Sequence, residues 1–170
     1  ELADRVSMKR DLEIARDIQS WLVPATPPVV ENADIAFTTR PANTVAGDYY
    51  DGFFRDVDEA GSNRLFIVVA DVAGKSVPAA MLMATFQASL RTLASLPISL
   101  AELTKRLNNY ACAHSLDGKR FTTAFMAEID PSTSAMSYVT AGHNAPVLRR
   151  SSGEIERLEA GGVPLGVQDD

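Results

Sequence analysis

The 170-residue sequence has one cysteine, Cys112, so no internal disulfide can staple it, and an unpaired thiol fits a reducing compartment such as the cytoplasm. Basic charge is also scarce. Sixteen Lys plus Arg stand against 22 Asp plus Glu, a formal net charge of −6 with a pI near 4.9. A chain so balanced lacks the counterion-releasing surface that nucleic-acid binding rests on, so no nucleic-acid partner is expected. No apolar run approaches the ~20 residues of a membrane span. The charged first residues read as helix rather than as a secretory leader. What is present is 46% hydrophobic and spread in short runs, enough for one domain with its own core.

Periodicity divides the chain. Residues 1–23 read as one amphipathic helix, with Leu12, Ala15, Ile18 and Leu22 on one line and Ile14, Ile18 and Trp21 widening it. Pro24, Pro27 and Pro28 end that helix and force an extended linker. Beyond it the period changes to two. Strands are expected at Ile35–Thr38 and near 48–54, with a third, buried on both faces, at Leu65–Ala70. Pro78 suits the first turn of a helix carrying Met81, Met83, Phe86 and Leu90, which Pro97 stops. Ser99 and Glu102 form a capping box for a second helix ending near His114. Short strands follow at 122–129, 136–140, 147–148 and 155–158. Two helices among mostly sequential strands favour an α+β fold over a doubly wound parallel sheet. The organisation expected is a connector or dimerisation helix over 1–24 and a single domain over 25–170.

The segment Val69-Ala70-Asp71-Val72-Ala73-Gly74-Lys75-Ser76 brings a carboxylate to the end of a buried strand, then a small-residue loop. A carboxylate there is costly unless partnered, although a helix cap or a turn is the ordinary reading of such a residue. A phosphate-binding loop would need glycine five residues before Gly74, where Val69 stands. A phospho-acceptor aspartate would need alternating βα units. A hard-metal ligand needs a second carboxylate, and Asp48, after Gly47, is one. If 48–54 pairs antiparallel with 65–71, Asp48 and Asp71 reach the same end of the sheet and repel unless a cation lies between them. His143, in Gly142-His143-Asn144, is an acid candidate, but its place in a turn favours hydrogen bonding to backbone. His114 reads as a helix-end cap, and Cys112 as inert core.

The segments VAGDYYD at 45–51, ADVAGKSVPAA at 70–80, FTTAF at 121–125, AGHNAP at 141–146 and VPLGV at 163–167, after EIARDIQSWLVP at 13–24, stand in one order. In that order they resemble the SpoIIE-like branch of the metal-dependent PPM (type 2C) serine/threonine phosphatases, from about residue 12 to 167. The resemblance implies an αββα sandwich of two antiparallel β-sheets flanked by helices, with two Mn²⁺ or Mg²⁺ ions at one sheet edge. Asp48 matches the first acidic position, Asp71 the metal-bridging aspartate, and Val72 the residue whose carbonyl is a ligand. It further implies hydrolysis of phosphoserine or phosphothreonine, on a phosphorylated anti-sigma-factor antagonist in a partner-switching pathway. An upstream sensor domain and a homodimer through the first helix belong to the same picture. The family pattern has one further metal aspartate, in a D-G motif beyond VPLGV. Asp169 and Asp170 have no glycine after them and do not match it. The domain is therefore expected to be C-terminally truncated and weak as an enzyme, and a non-catalytic signalling or dimerisation module with an incomplete metal site is the alternative.

Overall fold

The computed structural model describes residues 2–31, 33–41, 43–114, 119–159 and 161–169. In chain order the elements are α1 (Leu2–Ser20), β1 (Asp48–Asp56), β2 (Asn63–Val72), α2 (Ser76–Ala94), α3 (Leu100–Ala113), β3 (Thr122–Ile129), β4 (Met136–Ala141), β5 (Val147–Arg149) and β6 (Ile155–Arg157). Strands β1-β2-β3-β4 form one antiparallel sheet in that order, and β5 pairs with β6 in a second. The fold is α+β, as the sequence reading expected, with the N-terminal helix in front.

Side-chain alternation assigns the layers. Tyr49, Phe66, Val68, Ala70, Val72, Ala124 and Met126 point to one face of the large sheet, where Met83, Phe86 and Leu90 of α2 and Leu103 and Leu107 of α3 cover them. Phe125 and Ala127 point to the other face, under Leu148 and Leu158 of the small-sheet region. The order of layers is helices, large sheet, small sheet.

Buried charge fastens the layers together. Arg55 of β1 donates to the carbonyls of Ala94, Leu96 and Ile98 at 3.3, 3.1 and 2.6 Å, tying down the turn between α2 and α3, and it pairs with Glu128 of β3. Asp51, 1% exposed, accepts from the Tyr49 hydroxyl at 2.5 Å and from Arg91 Nε and Nη2 at 2.7 and 2.9 Å. Burial, then the Asp51 carboxylate, pushes the Tyr49 phenol well above its ordinary range.

Four expectations change. Ile35–Thr38 joins no ladder. That stretch lies over β1 instead, with Phe37 against Tyr50 at 5.1 Å between ring centroids. A Cβ added to Gly52 would stand 2.8 Å from Phe37, so the glycine makes room for the ring. β2 is not buried on both faces: Val69 is 42% exposed, because the small sheet lies over β3 and β4. Met81 is 67% exposed, while Met83 is core. The Ser99 cap holds, accepting from the Glu102 amide at 3.3 Å, but the Glu102 carboxylate pairs with Arg106 rather than closing the box.

Helix α1 docks through its C-terminal half. Ala15, Ile18 and Leu22 line a shallow pocket with Val45, Val77 and Met81. Gln19 grips the loop before β1: its Nε2 donates to the Ala46 carbonyl at 2.7 Å, and the Ala46 amide donates back to its Oε1 at 3.1 Å. Ile14, Ile18 and Trp21 stay exposed, Trp21 at 79%.

Candidate metal centre

β1 and β2 pair in the register Asp48↔Asp71, and β2 and β3 in the register Asp71↔Thr123. Because residues directly opposite across a ladder share a face, Asp48, Asp71 and Thr123 form a row on the sheet face turned away from α2 and α3. All three lie at one end of the sheet. The antiparallel pairing expected from the sequence therefore brings Asp48 and Asp71 together.

Val72 completes the arrangement through its backbone. Its side chain is core, and its amide donates to the Gly47 carbonyl at 3.2 Å. A Cβ built on Gly47 would fall 2.6 Å from the Val72 carbonyl oxygen, so only glycine lets the two loops converge. The Ala73 amide then bonds the Phe121 carbonyl at 2.9 Å. Beyond it Gly74 has φ +127° and Ser76 φ +58°, a strained turn at the mouth of the site. Lys75 sits between them as the extended residue before α2, and its side chain makes no cap hydrogen bond.

Electrostatics single out Asp71. Burial and then the Asp48 charge raise its carboxyl above the ordinary range, while His143 opposes that shift. Two carboxylates facing each other with a carbonyl beside them form an all-oxygen donor set of the kind a hard divalent cation takes. The glycine cradle at Val72 and the repulsion between Asp48 and Asp71 both fit such an ion. Among the described residues no group of three or more His, Cys, Asp or Glu side chains gathers into a metal cage. Asp169 is exposed, and Asp170 lies outside the described residues.

His143 is the functional candidate that the sequence reading placed wrongly. Its Nδ1 meets Thr123 Oγ1 at 2.9 Å, a side-chain partner rather than the backbone expected. The same hydroxyl reaches the Asp71 carbonyl at 3.5 Å. Gly142, at φ +62°, fixes the ring's approach: a Cβ there would meet Pro164 at 2.5 Å, and its amide bonds the Gly162 carbonyl at 2.8 Å. Leu165 in turn pairs with Thr122 through two 2.9 Å bonds. The AGH and VPLG segments thus brace each other beside the row. The legible signal was the FTT segment, whose second threonine alternation places opposite Asp71. His114 caps α3 as expected, its amide bonding the Ala111 carbonyl. Cys112 is partly buried in α3.

A family model, stage II sporulation protein E (SpoIIE), matches residues 61–170. The chain is 30% identical over 164 residues to the phosphoserine phosphatase RsbU of Bacillus subtilis, covering 96% of this chain and 47% of that protein. Two solved structures share the fold. One is the SiaA-PP2C domain of Pseudomonas aeruginosa, with TM-score 0.73 at 17% identity, covering 99% of this chain and 67% of that one. The other is RsbX in complex with magnesium, with TM-score 0.54 at 21% identity, covering 75% and 57%. The chain thus spans about half the length of the curated phosphatase it matches.

Proposed function

The chain belongs to the SpoIIE family, and on that premise we propose that it is a metal-dependent phosphoprotein phosphatase domain hydrolysing phosphoserine or phosphothreonine. The observation that carries this reading is the cross-strand pair Asp48↔Asp71 with the Val72 carbonyl cradled by Gly47. In this reading Asp48 and Asp71 would hold Mn²⁺ or Mg²⁺, two ions in a complete site, and the Val72 carbonyl would add a neutral donor. The bound ions would supply an activated water and neutralise phosphate charge. The protein's own part is to fix its oxygens on a rigid sheet end, so that water attacks phosphorus with no covalent enzyme intermediate. The substrate class that fits the family and its RsbU relative is a phosphorylated anti-sigma-factor antagonist, met in the cytoplasm.

In this reading residues 1–24 connect an upstream sensor domain to the phosphatase domain over 25–170. After α1 has docked, Ile14, Ile18 and Trp21 remain exposed at spacings of four and three, the spacing of a seam between paired helices. A second copy of the chain covers that stripe. The alternative is a non-catalytic signalling module, favoured by the presence of only two carboxylates in the row among the described residues.

Asp71→Asn decides between them, because it keeps the side-chain shape and removes the charge. It is expected to abolish Mn²⁺-dependent turnover of a phosphoserine peptide while the circular dichroism spectrum stays unchanged. Turnover near the wild-type rate in that variant would sink the assignment.

A further inference from the structure

Cleavage of a phosphoserine leaves a seryl oxygen that departs poorly as an alkoxide and needs a proton as the bond breaks. Asp48 and Asp71 are committed as oxygen donors in the phosphatase reading, on which this inference rests. We propose that His143 supplies that proton from Nε2, and that Thr123 is the positioning residue that aims the ring.

The geometry is specific. Thr123 stands opposite Asp71 in the β2–β3 register, so its hydroxyl belongs to the same row as the two aspartates. That hydroxyl meets His143 Nδ1 at 2.9 Å and reaches the Asp71 carbonyl at 3.5 Å. A hydroxyl accepts one hydrogen bond while donating another. The relay from Nδ1–H to Oγ1–H to the Asp71 carbonyl therefore holds both before and after Nε2 gives up its proton. Nε2 makes no hydrogen bond among the described residues, and the ring is half-buried beside Asp71. Gly142, pressed against Pro164, anchors the turn that carries it.

The step balances. The oxygen of water bonds to phosphorus, and the bond between phosphorus and the seryl Oγ breaks. The electron pair stays on Oγ, which takes the proton from Nε2, and the proton released by the attacking water restores the ring through solvent.

The test compares two leaving groups, since p-nitrophenolate departs without a proton and a seryl alkoxide does not. His143→Gln should lower kcat on a phosphoserine peptide about 100-fold, and on p-nitrophenyl phosphate less than 10-fold, in line with the ~10²–10⁴ typical of acid–base catalysis. Thr123→Val should lower kcat on the peptide with KM unchanged, and Thr123→Ser should restore it. Equal losses on both substrates, or none on either, would overturn the proposal. A second arm does not depend on turnover. In the ¹⁵N spectrum of the imidazole, inorganic phosphate with Mg²⁺ should move the His143 Nε2 resonance, and an unmoved resonance at saturating phosphate would also overturn it. Failure of the phosphatase reading itself has a different signature: the wild-type chain hydrolyses neither substrate.

Discussion

Asp71 carries a conflict that the proposed cation would resolve. Without metal it is partly desolvated and faces the Asp48 charge, and both raise its carboxyl above the ordinary range. A carboxyl whose folded value is raised contributes full stability at low pH and loses it as pH rises through that folded value. The metal-free Asp71→Asn variant should therefore be more stable than wild type at neutral pH, by about 0.5 kcal/mol, the scale of a like-charge cross-strand pair. The difference should vanish on acidification into the ordinary carboxylate range. Melting curves of both proteins in chelator, at several pH values, check this, and a variant less stable than wild type at pH 7 would count against the pair. The two aspartates were legible because alternation and an antiparallel hairpin suffice to align them. His143 was not, because its partner is 20 residues away and reaches it through a turn held by Gly142 and Pro164.

Elements were read well where one period ran long enough to bury a face, as in α2, α3 and β1 to β4. The stretch 35–38 shows the limit. Alternation reports an extended chain, but a strand also needs a free ladder, and Phe37 found the face of β1 instead of its edge. The Arg55–Glu128 pair was likewise invisible, since nothing local says that two strand residues 73 apart share a buried site. Glu128→Ala leaves the Arg55 guanidinium buried with carbonyls alone and should cost about 3 kcal/mol. At this chain length that lowers the melting temperature by roughly 10 °C. A change under 2 °C by calorimetry would show that the carbonyls of Ala94, Leu96 and Ile98 satisfy the charge by themselves. For α1, the exposed Ile14, Ile18 and Trp21 predict a dimer in sedimentation that Ile18→Asp dissociates. Equal mass for both proteins would remove the pairing proposed for this helix.

At the scale of the whole molecule, the helix layer and the large sheet serve one end of the sheet. Arg55 and Asp51 lock β1 to α2, Gln19 holds the loop that enters Asp48, and the VPLG segment closes the far side beside His143. The rigid frame keeps two like charges facing each other, and the proposed function places a divalent cation between them. Calorimetric titration of Mn²⁺ into the wild-type chain and into Asp71→Asn tests this claim most directly. The account predicts saturable heat for wild type that disappears in the variant, with both proteins folded. An isotherm unchanged by the substitution would contradict it.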